Sequence, residues 1–259
     1  MESLIELEPT DLLWALGMVA ITIGLSSWQN LGLEIKLATA TVRTILQLTV
    51  LGYVLAATFV FNNPIVVLII LGVMLAITAV TVRNRIGKKI PQLLLIVLGS
   101  MFFSTVLTLS YTVLLIIQPD NWYEPQYLIP LGGVVLGSAM NGAAVAGERL
   151  VSKISNSQLE IETHLSLGAT PQQAMAGYRK EAIRAGLIPT LNQMMVIGII
   201  TLPGLMSGQL LSGTDPLNAA SYQILTLFML VVSNLMTTLL VTQGLTRQFF
   251  NAQAQLRLI

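Results

Sequence analysis

Pro64-Ile-Val-Val-Leu-Ile-Ile-Leu-Gly-Val-Met-Leu-Ala-Ile-Thr-Ala-Val-Thr-Val82 is followed at once by Arg83-Asn-Arg-Ile-Gly-Lys-Lys89. The first run holds no charged side chain, and the second holds Arg83, Arg85, Lys88 and Lys89. A bilayer core about 30 Å thick needs about 20 mostly apolar residues as helix. The first run therefore reads as a membrane span, and the second as a loop held at the cytoplasmic surface.

The same reading extends outward in both directions. Qualifying stretches run Leu12–Ser27, Leu37–Phe61, Pro64–Val82, Leu93–Ile117, Leu128–Ala146, Gly186–Leu211 and Tyr222–Thr242. The expectation is an all-α integral membrane protein with seven transmembrane helices, residues 1–259 forming a single transmembrane domain. Asn62-Asn63-Pro64 makes the second and third spans a tight antiparallel hairpin, and Pro203 interrupts the sixth. Composition agrees: 54% of residues are hydrophobic, 10% are charged, and mean hydropathy is +0.77. A soluble domain carries about a quarter of its residues as charged side chains, so most of this surface must face lipid. The acidic start, with Glu2, Glu6 and Glu8, lacks the basic region of a secretory signal, so the first span is expected to be retained.

Charge sets the orientation. Of the 13 Lys and Arg residues, all but Arg43 fall on one side: Lys36, Arg83, Arg85, Lys88, Lys89, Arg149, Lys153, Arg179, Lys180, Arg184, Arg247 and Arg257. The other side holds Glu2, Glu6, Glu8, Asp11, Asp120, Glu124 and Asp215. By the positive-inside rule the N-terminus lies outside and the C-terminus is cytoplasmic. A net charge of +1 gives no pull toward nucleic acid. The absence of cysteine excludes disulfides and thiolate chemistry, and His164 is the only histidine.

The one sizeable soluble segment runs from about 148 to 185, between spans five and six. Its pattern is helix, break, helix. Ile154, Ile161 and Leu165 keep one face apolar. Gly168 suits a left-handed C-cap. Thr170, Pro171 and Gln173 then form the sequence of a capping box that restarts a helix running to Arg184. That second helix carries Arg179, Lys180, Glu181 and Arg184. Its cations could meet anionic headgroups as an interfacial helix, or dock a cytoplasmic partner.

The run Glu162-Thr-His-Leu-Ser-Leu-Gly168-Ala169-Thr170-Pro171 resembles the first half of the EAA loop of ABC importer-type permeases. The second half differs, with Arg179-Lys180-Glu181 where that loop ends apolar-Leu-Pro, and Leu187-Ile188-Pro189 as the nearest substitute. The resemblance implies that the helix after the turn sits in a groove of an ATP-binding subunit. The longer block Gly186-Leu-Ile-Pro-Thr-Leu-Asn192-Gln-Met194-Met195-Val-Ile-Gly198-Ile-Ile-Thr-Leu202-Pro203-Gly204-Leu-Met206-Ser-Gly208-Gln209 is similar to the hallmark block of FetB-type permeases. That family comprises bacterial iron-export permeases and plant permeases tied to aluminium tolerance. Val42-Arg43-Thr-Ile-Leu-Gln47 with Gly52-Tyr53, and Gly137-Ser-Ala139-Met140-Asn141 with Glu148-Arg149-Leu150, agree with it. The resemblance covers about residues 38–242 and implies ATP-driven export of iron or another metal.

None of the 12 carboxylates lies well inside a span, so the ion-coupling groups of a secondary carrier are missing. Gly87-Lys88-Lys89 lacks the first glycine and the hydroxyl residue of a P-loop, so ATP hydrolysis, with its Mg, must come from a separate subunit. The chain itself is expected to hold no cofactor and to catalyse no reaction. Candidates for a translocation path are Arg43, Gln47, Asn141, Asn192, Met194, Met195, Met206 and Gln209. Arg43 could snorkel to the surface, or share a bundle-facing stripe with Gln47 one turn on. Asn141 could bond between helices or contact cargo. The methionines read as flexible packing or as soft ligands, which suit Cu(I) better than iron. Pro189, Gly198, Pro203, Gly204 and Gly208 let span six bend. The leading expectation is an ABC permease in the inner membrane, dimeric by the usual two-fold rule, with ATP-binding subunits as partners. Alternatives are a permease for a nucleotide-sugar or other small polar solute, an autonomous channel, and a scaffold recruiting a cytoplasmic partner.

Overall fold

A computed structural model describes residues 9–61, 63–251 and 253–256. Nine helices are described: α1 Pro9–Trp28, α2 Glu34–Phe61, α3 Pro64–Ile86, α4 Leu93–Tyr111, α5 Pro125–Asn156, α6 Gln158–Ser166, α7 Pro171–Val196, α8 Gly204–Leu211 and α9 Pro216–Gln248. A π-helical stretch, Thr112–Ile117, prolongs α4. The charges at Glu2, Glu6, Glu8 and Arg257 lie outside the described residues, as does Asn62, on which the expected hairpin turns.

The chain divides into two compact units. One holds α1 and α2 with residues 211–213; the other runs over 63–210 and from 214 onward. In the first unit, Asn30 (φ 50°) and Gly32 (φ +67°) reverse the chain between the two helices. The Ser26 hydroxyl donates to Glu34 Oε1 across that turn at 2.9 Å. Ser26 and Thr58 are the only buried side chains among the described residues of α1 and α2. Almost every other described side chain of this pair is exposed.

The second unit is a bundle built around α5. Leu71 and Ile86 of α3 lie against Gly132 and Gly147 of α5, so these two helices run parallel. Ile96 of α4 lies against Gly244 of α9, and Ser104 of α4 bonds Thr237 of α9 at 2.6 Å, so α4 and α9 run antiparallel. Gly186 and Thr190 of α7 meet Asn234 of α9, and Gly186 also meets Thr238, which makes α7 antiparallel to α9. Small residues at these crossings allow backbones to approach closely, as expected where lipid offers no hydrophobic drive for association.

Six of the described helical segments are long and apolar enough to cross a membrane: Thr10–Trp28, Glu34–Phe61, Pro64–Ile86, Leu93–Ile117, Pro125–Asn156 and Pro216–Gln248. The expected sixth span, Gly186–Leu211, is not one helix. α7 stops at Val196, Ile197 turns extended at φ −68° and ψ 138°, and Gly198 takes φ +78°. Leu202 precedes a proline and is biased away from helix, and Pro203 has no N–H to continue the ladder. Helix resumes at Gly204 as the short α8.

The segment from 148 to 185 also differs from its expectation. α5 runs on to Asn156, so Ile154 and Ile161 belong to successive helices, both fully buried. No break separates Arg184 from Gly186. Residues 171–196 form one helix, about 39 Å long at about 1.5 Å per residue.

Candidate coupling site and helix junction

The elbow between α6 and α7 has the geometry that its sequence implies. α6 ends with the Gly168 amide donating to Leu165 O and the Ala169 amide to His164 O, both at 3.0 Å. Gly168 takes φ +91°, a left-handed value that a β-carbon would strain. Thr170 then caps α7: its Oγ1 accepts from the Gln173 amide at 3.3 Å, and Gln173 Oε1 accepts from the Thr170 amide at 2.9 Å. Pro171 occupies the first turn, where its missing N–H costs nothing. Ile161, Met175 and Ala182 anchor the elbow in the core with Leu150, Ile154 and Phe249. Glu162, Gly168 and Thr170 are left exposed, with Ala169 half-buried between them.

Of the charged residues on α7, Glu181 faces inward to α5. It accepts from Arg149 Nε at 3.1 Å and pairs with Lys153 Nζ at 3.2 Å. Hydrogen bonds from Arg149, then from Lys153, hold its carboxyl below the usual carboxylate range. Arg85 of α3 pairs with Glu148 of α5 at 3.0 Å. Lys180 and Arg184 are exposed and Arg179 is half-buried; none of the three forms an ion pair among the described residues. These cations are available to a partner or to headgroups, and the two expectations for them stay open.

The candidate path residues do not assemble into one site. Arg43 and Gln47 are exposed on α2, in the first unit. In the second unit, Asn141 is exposed on α5, Asn192 and Met195 are exposed on α7, and Met194, Met206 and Gln209 are half-buried. Among the described residues, no group of three or more His, Asp or Glu side chains is placed to hold a metal ion.

The buried polar chemistry lies elsewhere, and of these candidates Asn141 alone adjoins it, next to Gly142. Asn234 is 1% exposed. Its Nδ2 donates to Gly186 O at 3.3 Å and to Thr190 Oγ1 at 2.7 Å. Its Oδ1 has no hydrogen-bond partner and lies directly over Gly142, where a β-carbon would come within 1.7 Å of it. A β-carbon at Gly186 would stand 2.7 Å from Gly142 O. Three helices therefore converge on Gly142, Gly186 and Asn234. One turn further along α9, the buried Thr237 and Ser104 hydroxyls bond each other, and the Ser104 hydroxyl also lies 3.1 Å from Met101 O. Most hydroxyls of α9, such as Thr226, Thr238, Thr242 and Thr246, bond back to their own helix. Thr105, Thr108 and Ser233 are buried without a partner. The signal for this seam was in the sequence: Gln223, Thr226, Ser233, Asn234, Thr237, Thr238 and Thr242 recur at helical spacing on one face of α9.

Six membrane-length apolar helices define a multi-pass α-helical membrane protein, and the second unit carries an interior polar seam. The chain belongs to the family described as "Uncharacterised protein family (UPF0014)", whose pattern matches residues 9–250. It is 52% identical over 254 residues to the UPF0014 membrane protein slr1647 of Synechocystis, covering 98% of both chains. It is 32% identical over 242 residues to the probable iron export permease protein FetB of Escherichia coli, covering 93% of this chain and 92% of that one. Identity to the ALUMINUM SENSITIVE 3 protein of Arabidopsis thaliana is 33% over 245 residues, 94% of this chain and 88% of the other. No solved structure matches.

Proposed function

We propose that this chain is the membrane-spanning subunit of an inner-membrane ABC transporter that exports iron or another metal ion, working as a dimer with ATP-binding subunits. The observation that carries the reading is the continuity of α7. A capped, exposed helix start at Thr170 and Pro171 leads without interruption into the bundle core at Gly186 and Thr190. A docked ATPase that moved this elbow would move an intramembrane helix directly. The name of the E. coli relative supports iron as cargo.

The broken segment is part of the proposal. α9 runs antiparallel to α4, so its start at Pro216 lies at the end of the bundle opposite the Arg83–Lys89 loop. α7 begins at the other end, near Leu150 and Ile154. On this reading residues 171–215 cross the bundle, with α7 and α8 forming a discontinuous seventh crossing. With the cationic loops inside, this gives an outside N-terminus and a cytoplasmic C-terminus. The chain has no native cysteine, so Asn84→Cys in intact cells should resist a membrane-impermeant thiol reagent that labels Asp120→Cys. Labelling of Asn84→Cys would overturn this topology. For the activity, vesicles containing both subunits should move ferrous iron only when ATP is supplied. Equal iron flux with and without ATP would overturn the assignment.

A further inference from the structure

The junction of α5, α7 and α9 has features that simple packing does not require. Gly142 and Gly186 bring two backbones so close that a β-carbon on Gly186 would meet Gly142 O at 2.7 Å and the Ala146 β-carbon at 3.0 Å. The space beside them holds an amide rather than a hydrocarbon. Buried amides cost free energy unless bonded, and interhelical polar bonds within membranes stabilise little on average. Asn234 is thus a poor source of stability, yet a directional one. Both its donor contacts go to α7, and both flank Pro189. A proline inside a helix removes the hydrogen bond to the carbonyl four residues back, and its ring crowds that carbonyl. The ladder of α7 is therefore weakest where Asn234 grips it.

Distances along α7 give this grip a mechanical meaning. Gly186 lies about 22 Å from Pro171 and about 15 Å from Val196, at about 1.5 Å per residue. α7 makes a close backbone approach to α5 there, through glycine, and beyond Val196 the helix is broken. Resting on the ABC reading above, we propose that Asn234, seated over Gly142, is the fulcrum of α7. Displacement of the capped elbow by a cytoplasmic subunit reappears, reversed and reduced to about two-thirds, at the 197–203 segment. Asn234 is accordingly a positioning residue for transport. It need touch neither cargo nor ATP.

Size complementation tests this without sacrificing the fold. The three atoms nearest a Gly142 β-carbon are Oδ1, Cγ and Nδ2 of Asn234, at 1.7, 2.5 and 2.8 Å. Gly142→Ala alone collides with them, whereas Gly142→Ala with Asn234→Ala removes all three and refills the gap. Both forms are made in an Ile199→Cys background, since Ile199 is 85% exposed in the broken segment. Each is reconstituted with the ATP-binding subunit. The rate of labelling by a water-soluble maleimide is compared with no nucleotide and with ATP plus vanadate, and ATP hydrolysis is measured alongside. With wild-type Gly142 and Asn234 the two labelling rates should differ by about fivefold or more. The double variant should assemble and hydrolyse ATP, but its ratio should fall to about one, because nothing then ties the segment to the nucleotide state. A double variant that keeps the wild-type ratio overturns the fulcrum, and so does a wild-type ratio of one in an ATPase-bound complex. Should the double variant fail to assemble, Thr190→Val, which removes one hydroxyl at constant volume, must reduce the ratio, and an unchanged ratio overturns the proposal. If no ATP-binding subunit associates even with wild-type Gly142 and Asn234, the ABC reading itself fails, and the fulcrum with it.

Discussion

α2 and α9 are similar as sequences: long, strongly apolar, and dotted with polar residues at helical spacing. Their surroundings are opposite. In α2 only Thr58 is buried, and Arg43 and Gln47 are exposed. In α9 a whole face from Ala219 to Thr246 is buried, including Gln223, Ser233, Asn234 and Thr237. The contrast follows from the solvent. Lipid is as apolar as a protein interior, so hydropathy locates a membrane helix but does not say which of its faces meets protein. Glycines report that face better. Gly52 of α2 has nothing within 4 Å of an added β-carbon, whereas Gly142, facing α9, has Asn234 at 1.7 Å.

The largest effect should come from those two glycines. Gly142→Ala should destabilise the bundle by about 1–3 kcal/mol, the usual range for overpacking a filled core. Gly52→Ala should be neutral, or stabilising by up to about 1 kcal/mol through helix propensity. Thermal unfolding in detergent checks both, and equal melting temperatures would erase the contrast between the helices. Polar deletions should sharpen it at smaller scale. Thr237→Val removes the bond to Ser104 and should cost about 0.6–1.7 kcal/mol. Gln47→Leu should leave stability within about 0.5 kcal/mol, yet lower ATP-driven iron flux in vesicles if α2 lines the path. Normal flux would make Gln47 an ordinary lipid-facing residue.

The smallest effect concerns the ion pairs between α5 and α7. The carboxyl of Glu181 is held below its ordinary range by Arg149 and Lys153. A carboxylate depressed on folding contributes stability that is present above its unfolded value and lost as pH falls through its folded one. Melting temperature should therefore fall between the ordinary carboxylate range and the depressed value. Glu181→Gln should flatten that part of the profile and leave neutral-pH folding intact. A variant with the parent's acid profile would remove Glu181 from the account.

Much of this molecule was legible from its sequence, for identifiable reasons. Long uncharged runs located the membrane helices. Gly168, Thr170, Pro171 and Gln173 located the elbow, because caps and left-handed turns depend on a few neighbouring residues. What could not be read was tertiary. Asn141 looked like the polar group of α5, but the adjacent Gly142 makes the contact, and its partner Asn234 is distant in sequence. Continuity of α7 through Ala185 was hidden by the change from a charged to an apolar segment, which resembles a boundary although the backbone has none. Pro203 and Gly198 signalled a bend in the sixth span, and the structure turns that bend into a break.

In the proposed transporter, α7 couples a partner's ATP hydrolysis to the membrane bundle through the elbow at Gly168. The direct measurement is ATP hydrolysis by a copurified ATP-binding subunit, with the wild-type chain, with Gly168→Val, and with Glu162→Lys. Gly168→Val places a β-branched side chain at φ +91° in an exposed turn with nothing within 4 Å of the added β-carbon, tilting the docking end of α7 without melting the bundle. The account predicts that the wild-type chain stimulates hydrolysis, and that both variants still insert and bind the subunit but stimulate it several-fold less. Wild-type stimulation by both variants, or the absence of any ATP-binding subunit from the purified wild-type complex, would contradict it.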